Sequence, residues 1–461
     1  MSADLFAKLA ARLGPKGFVT DTDALAPHLS EWRGKFHGST PFMALPASTE
    51  EVVDVVKLCA EAGIGITPQG GNTGLVGGQI PMGEVLLSLR RMNRIRSVDA
   101  ANDSLVAEAG VVLTAAQESA SESNRRFPLS LASEGAATIG GLISTNAGGV
   151  HVLRYGVMRE LVLGIEAVLA DGRVIGGLKA LRKDNTGYDL KQLFIGAEGT
   201  LGVVTAASLK LFPRPRAHLV ALAAVSGPNQ ALALMHRLKA MTGALAAFEI
   251  MNRLSVDLVV KNIPNQRDPS PGAPMLALAE FEAASEDGFR ALIEAAFASA
   301  LETGEAQNVL FAENTAQTRD FWALRELVSA GHKPEGAQVN HDVSVPVSQT
   351  PAFIERASAA AERLCPGARI VAFGHMGDGN IHYTVMQPSG SAAPEFPAAQ
   401  LTAAVYEITA ALNGSISAEH GIGAARKADL VRYKDAAALD VMRSIKAALD
   451  PNNIMNPRAM L

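Results

Sequence analysis

The stretch Phe373-Gly374-His375-Met376-Gly377-Asp378-Gly379-Asn380-Ile381-His382-Tyr383-Thr384 sets two histidines symmetrically about an Asp-Gly pair. The flanking runs, Ala368 to Phe373 and Ile381 to Met386, are rich in β-forming residues, so the segment reads as a hairpin. Asp-Gly is favoured in a two-residue turn whose central residues both take positive φ. With Asp378 and Gly379 at the tip, Gly377 faces Asn380, Met376 faces Ile381 and His375 faces His382. Directly opposed residues share one face of a sheet with Cβ atoms about 5 Å apart. Two imidazoles at that separation suit one metal ion; the alternative is a pair of structural histidines.

A third ligand is offered by Ser417-Ala418-Glu419-His420-Gly421-Ile422-Gly423. Glu419 completes a His, His, Glu set, the donor type of catalytic zinc sites that keep a position open for substrate. Successive residues of extended chain point to opposite sides. His420 is therefore expected to miss the metal and to serve as an acid or base beside it.

The chain has 461 residues, too many for one core, so two or three domains are expected. Hydrophobic residues make up 48% and charged residues 19%, the profile of a well-buried soluble protein. A formal charge of −5, with no basic run carrying interleaved aromatics, excludes a nucleic-acid surface. Cys59 and Cys365 are the only cysteines, too few for an iron–sulfur cluster or a disulfide framework. Met1 to Lys8 lacks the basic and apolar blocks of a secretory signal, and no apolar run is long enough to span a membrane. A cytoplasmic location is expected.

Glycine clusters punctuate the first half. Phe42 to Pro46 reads as a strand. A helix starts at Ser48, with Glu51 closing a capping box and Gly63 ending it, and Ile64 to Pro68 is the next strand. Gln69 to Gly78 is then too glycine-rich for either regular element, Ala136 to Gly149 and Gly196 to Val204 are a second and a third glycine cluster, and strands are predicted at Val85 to Ser88 and Ser104 to Glu108. Such loops let backbone N–H groups approach phosphate, and three together suit a large anion such as a dinucleotide. None has the Gly-x-Gly-x-x-Gly or P-loop spacing. The prolines of Phe212-Pro213-Arg214-Pro215-Arg216 mark an interdomain linker. Beyond it, strands at Leu219 to Val225, Ala244 to Met251, Pro274 to Glu282, Gln307 to Glu313, Gln338 to Pro346 and Ala368 to Met386 alternate with helices. This predicts an α+β layer with a mostly antiparallel sheet, followed by a helical tail.

Five motifs, in order, carry a resemblance: Pro68 to Leu75, Glu134 to Gly141, Gly196 to Thr205, Gly374 to His382 and Ser417 to Gly423. From about Trp32 onward the chain resembles the FAD-dependent D-2-hydroxyacid dehydrogenases of the vanillyl-alcohol oxidase flavoprotein superfamily. That group includes D-2-hydroxyglutarate dehydrogenase, D-lactate dehydrogenase and the flavin subunit of glycolate oxidase. The resemblance implies an α+β fold in four parts. These are an N-terminal helical segment (1–40), a two-part FAD-binding domain (41–216), an antiparallel-sheet substrate or cap domain carrying the metal hairpin (217–395), and a helical C-terminal segment completing the active site (396–461).

It also implies roles. Pro68, Gln69, Gly70, Gly71, Asn72, Thr73, Gly74 and Leu75 would wrap the FAD pyrophosphate. Ser133, Glu134, Thr138, Gly141, Ser144 and Asn146 would line the flavin and its ribityl chain. Glu198, Gly199, Gly202, Val203 and Val204 would hold the adenosine end, and Asn456 would meet the isoalloxazine. His375, His382 and Glu419 would bind a divalent metal, zinc being expected, with His420 as catalytic base. Arg325 would take a substrate carboxylate, with Ser329, Asn340, His341 and Thr384 nearby; the alternative for Arg325 is a surface salt bridge to Glu326 or Asp320.

Oxidising a 2-hydroxy acid to a 2-oxo acid removes a hydroxyl proton and a Cα hydride. A metal lowers the hydroxyl pKa, a histidine takes the proton and a flavin takes the hydride. The hydroxyglutarate enzymes of the family carry a lysine just before the strand equivalent to Asp342 to Pro346, where this chain has Asn340 and His341. They carry threonine where this chain has Ser329 and asparagine where it has Thr384. The expected substrate is D-2-hydroxyglutarate or a related D-2-hydroxy acid. D-lactate and glycolate are alternatives, as are an oxygen-using oxidase and a non-catalytic flavin-binding subunit of an electron-transfer complex. The electron acceptor (an electron-transferring flavoprotein, a quinone or a cytochrome) leaves no motif, and a homodimer is expected by analogy.

Overall fold

The computed structural model describes residues 3–390 and 396–461; the predicted domain boundary at 395 lies outside them. The chain divides into two compact units. The first comprises Met1–Gly149, Gly156–Arg214 and Glu419–Leu461, and the second Val150–Tyr155 and Pro215–Ala418.

In the first unit a four-stranded sheet has the order Phe18–Val19, Met43–Ala44, Val85–Ser88, Ile66–Gln69. The last three strands run parallel, which requires crossovers. The Thr49–Ala62 helix supplies one of them, and its ends follow the local sequence. Ser48 Oγ accepts the Glu51 N–H at 3.3 Å, and Gly63 closes the helix in the left-handed region at φ 65°. Glu51 reaches the Ala47 N–H rather than that of Ser48, so the box is shifted by one residue. Val52, Val55, Val56 and Cys59 fall on one helical face and are fully buried with Ile66, Val85 and Leu87. A second, five-stranded antiparallel sheet runs Ile95–Asp99, Ser104–Glu108, Val203–Lys210, Val162–Val168, Val174–Gly177.

The second unit is built on a seven-stranded antiparallel sheet. Its order is Asn308–Phe311, Ala217–Val225, Met275–Ala283, Leu245–Asn252, Arg369–His375, Asn380–Met386, Gln338–Ser344. Helices cover both faces, which is why its central strands read as continuous apolar runs. On one face Leu222, Met251, Leu276, Leu278 and Val371 pack against Val256 and Val259 of the Arg253–Asn262 helix and Leu324 of the Thr315–Glu326 helix. Burying each such side chain contributes about 1.5–3 kcal/mol. On the other face Phe281 meets Phe297, Tyr383 meets Phe353, and His341 meets Tyr406.

The hairpin is present, but its register differs from the expected one. His375 pairs with Asn380 and His382 with Phe373, so Met376 to Gly379 form a four-residue connection. Among the four only Gly379 takes positive φ, at 82°; Asp378 does not, and a turn demanding two left-handed residues is excluded. Gly379 is required there because a Cβ would lie 2.1 Å from the Val345 carbonyl oxygen. The shift is two residues, the side-chain period of a strand, so both histidines stay on one face.

Candidate active site

In the first unit the glycine clusters enclose a cavity of about 720 Å³. Pro68 to Leu75 form one wall; Ser133, Thr138, Gly141 and Ser144 form another; Glu198, Gly199, Gly202, Val203 and Val204 a third. Glu419, His420 and Asn456 also line it. Two predicted members are absent from the wall. Glu134 accepts a hydrogen bond from Ser130, and Asn146 accepts one from the Arg159 N–H.

The wall is shaped to meet an extended anion through its backbone. Among the described residues the N–H groups of Gly70, Gly71, Asn72, Thr73 and Gly74 donate to no protein acceptor. Successive N–H groups left open in a turn form an anion-binding nest. A Cβ at Gly71 would lie 1.9 Å from the Ala136 carbonyl oxygen, so the loop presses directly on the second cluster. Side chains brace the nest from behind: the Gln69 amide donates to His28 and Gln79 carbonyls, and the Asn72 amide to those of Pro27 and Ser30. Thr138 Oγ1 is buried on this wall with no hydrogen-bond partner. An orphaned hydroxyl and a row of open N–H groups are what a bound FAD would satisfy, so these residues fit it.

Glu198 and Asn456 hold the far side together. Glu198 sits at φ 52°, and its two carboxyl oxygens accept the N–H groups of Ile422 and Gly423, both at 2.7 Å. Burial pushes this carboxyl above its usual range against the pull of those bonds. The Asn456 amide donates to the Gly78 and Glu198 carbonyls at 2.9 and 2.7 Å. The loop after His420 is thereby tied to the cavity wall. Glu419 Oε1 lies 3.8 Å from His420 Nε2. Both side chains reach the same cavity, so they diverge less than extended backbone alone would have them do.

In the second unit the rings of His375 and His382 lie 5.5 Å apart at 76° to one another. Each turns Nδ1 to a carboxylate: His375 to Glu249 at 2.8 Å, and His382 to Asp342 at 3.7 Å. Nε2 of His375 is then the nitrogen turned away from Glu249, as in metal-binding histidines held by an outer carboxylate; the 3.7 Å to Asp342 is beyond hydrogen-bond reach. Glu249 is 1% exposed, and its other oxygen accepts from Arg325 Nε at 2.7 Å. Burial alone would raise the Glu249 carboxyl; the adjacent His375 and Arg325, through electrostatic attraction and hydrogen bonds, outweigh it and hold it at about 2. Arg325 is 6% exposed and stacks 4.8 Å above the Phe373 ring.

Arg325 is therefore no surface residue, and its partner is neither Glu326 nor Asp320. Asn340 and Thr384 are paired across adjacent strands on the His382 face, Thr384 buried and Asn340 exposed. Ser329 is exposed on the helix that follows Arg325. His341 departs from expectation. It points to the opposite face, where Nδ1 meets the Tyr383 carbonyl at 2.9 Å and Nε2 meets Thr402 at 3.2 Å. Alternation along the strand puts Asn340 and Asp342 on one side and His341 on the other. Glu249 and Asp342 were not recognised from sequence. The available signal was a lone carboxylate in the apolar strand Leu245–Asn252. Ala418, the last residue of this unit, donates its N–H to the Asp342 carbonyl at 3.2 Å, and the chain passes directly from it into Glu419.

The chain is similar to known proteins over nearly its whole length. Residues 41–176 match the FAD binding domain family, and residues 214–460 match the C-terminal domain of FAD linked oxidases. A probable mitochondrial D-2-hydroxyglutarate dehydrogenase of Oryza sativa subsp. indica is 38% identical over 97% of this chain and 80% of its own length. A putative mitochondrial D-lactate dehydrogenase of Schizosaccharomyces pombe is 34% identical over 95% of this chain and 85% of its own length. The solved structure of p-cresol methylhydroxylase with substrate bound superposes with a TM-score of 0.76 at 17% identity, covering 99% of this chain and 96% of that one. The family matches define an FAD-linked oxidoreductase. The chain belongs to the FAD-dependent D-2-hydroxyacid dehydrogenase family. Among the described residues no helix is long and apolar enough to cross a membrane.

Proposed function

We propose that this enzyme oxidises a D-2-hydroxy acid, D-2-hydroxyglutarate first among candidates, to the 2-oxo acid, using FAD and a divalent metal. FAD, when bound, supplies a two-electron acceptor at N5. A metal, when bound, supplies Lewis acidity toward the substrate hydroxyl and carboxylate. Within the chain, the N–H nest from Gly70 to Gly74 holds the cofactor's pyrophosphate, and Thr138 donates to it. His375, His382 and Glu419 are the proposed metal ligands, zinc being the metal their donor set suits. His420 takes the hydroxyl proton at a ring nitrogen. Arg325 orients a substrate carboxylate through its guanidinium fork, with Asn340, Thr384 and Ser329 as further proposed substrate-binding residues.

The observation that carries the reading is the pair of imidazoles on one sheet face, each with Nδ1 turned to a buried carboxylate. The choice of substrate is supported by the names of the relatives, which are those of D-2-hydroxyglutarate and D-lactate dehydrogenases. Anaerobic bleaching of the flavin against a panel of D- and L-2-hydroxy acids tests it. The D-acids should bleach the purified protein, D-2-hydroxyglutarate fastest, and chelator should abolish the response. His420→Ala should keep its FAD and lose the bleaching. A colourless protein, or bleaching by L-acids alone, defeats the proposal.

A further inference from the structure

We infer that Glu249 is a positioning residue that selects the metal-binding tautomer of His375 and locks Arg325 in fixed register with it. The inference rests on the reading of His375 and His382 as metal ligands. Glu249 lies directly opposite His375 in the sheet, and its two oxygens are divided between two donors: Oε1 to His375 Nδ1 at 2.8 Å and Oε2 to Arg325 Nε at 2.7 Å. An ionised carboxylate only accepts, so the His375 proton sits on Nδ1 and the lone pair on Nε2. Among the described residues Arg325 donates a hydrogen bond to protein through Nε alone, which leaves the donors of both terminal nitrogens for a second carboxylate. Phe373 lies under the guanidinium at 4.8 Å and beside the His382 ring at 5.0 Å, so one apolar floor carries both halves of the site. The carboxylate thus joins the residue proposed to bind metal to the residue proposed to bind substrate, and no third group intervenes.

A glutamine at this position cannot serve both partners. Arginine has no acceptor, so the amide oxygen of Glu249→Gln must face Arg325 and its NH₂ must face His375. Nδ1 is then forced to accept, and the proton moves to Nε2, the atom needed for metal. Cobalt(II) titration of the metal-stripped, FAD-loaded full chain reads this directly. Glu249→Gln should bind cobalt about 10- to 100-fold more weakly than wild type, the usual loss on removing an outer carboxylate. In Arg325→Met/Glu249→Gln the amide is free to turn its oxygen to His375, and affinity should return to that of Arg325→Met alone. A packing role would give the same loss in both backgrounds.

Wild-type affinity in Glu249→Gln, or no recovery in the double variant, overturns the inference. Should Glu249→Gln not fold, Arg325→Met and Arg325→Met/Glu249→Ala are compared instead. A loss of about 10-fold or more supports the inference, and equal affinity overturns it. His382→Ala separates the two levels: it should lose cobalt binding. If it binds as wild type, the metal reading has failed and the inference falls with it.

Discussion

Replacing Asp450 with alanine should release the flavin well before the rest of the first unit would otherwise unfold. Asp450 is 2% exposed, and its carboxylate accepts the N–H groups of Ile454 and Met455 at 2.9 and 2.7 Å and Lys446 Nζ at 2.5 Å. Lys446 in turn donates to the Thr200 and Met455 carbonyls, both at 2.8 Å. This clamp holds the tail beside the Ile66–Gln69 strand and delivers the Asn456 amide to the cavity wall. Alanine orphans two buried N–H groups, each bond from a charged acceptor being worth about 1.5–3 kcal/mol. It also strands a largely buried ammonium, and breaking such a pair costs about 3–5 kcal/mol. The contributions overlap, so the working figure is about 5 kcal/mol, at the severe end of single substitutions. At about 2–4 °C per kcal/mol for a unit of this size, the midpoint of thermal flavin release should fall by about 10–20 °C. The assay is flavin fluorescence during a temperature ramp. Lys446→Met/Asp450→Leu, which removes both charges, should recover much of the loss. A midpoint within about 3 °C of wild type for Asp450→Ala would refute the reasoning.

Gly71→Ala should purify with little or no FAD, because its Cβ would lie 1.9 Å from the Ala136 carbonyl oxygen and the nest must open; the ratio of flavin to protein absorbance measures this. An acid-dependence is expected from Glu280 in the second unit. Burial alone would raise its carboxyl, but His151 at 3.1 Å and His218 at 3.0 Å outweigh that and hold it well below the usual range. The folded state then binds fewer protons than the unfolded one below the ordinary carboxylate pKa, so this contribution is complete above that pKa and drains away as pH falls beneath it. Urea midpoints should therefore separate wild type from Glu280→Gln near neutrality and converge in acid; a constant gap would contradict the assignment.

Much of this was readable in the chain because local chemistry and the tertiary fold agree there. Ser48 and Gly63 bound a helix in the way their side chain and missing Cβ dictate, and Val85–Ser88 and Ser104–Glu108 form strands at the expected residues. The hairpin is more instructive. The turn was misjudged, since only Gly379 among the tip residues takes the left-handed conformation that two residues were expected to share. The two-histidine face survived because the register error equals one strand period. His341 shows the converse: adjacent to Asn340 in sequence, it is on the far side of the sheet, packed against Tyr406.

Taken alone, the order of residues determined the family, the α+β class, the three glycine-rich clusters and the spacing that sets His375 and His382 on a common face. These depend on contacts a few residues apart, which composition and periodicity encode. The tertiary structure alone decided that Arg325 is buried against Glu249, that Asp342 backs His382, and that Glu198 and Asn456 brace the loop after His420. Each of those pairings joins residues far apart in the chain. Which buried charge meets which is set by strand order and helix packing, and no local pattern carries that information.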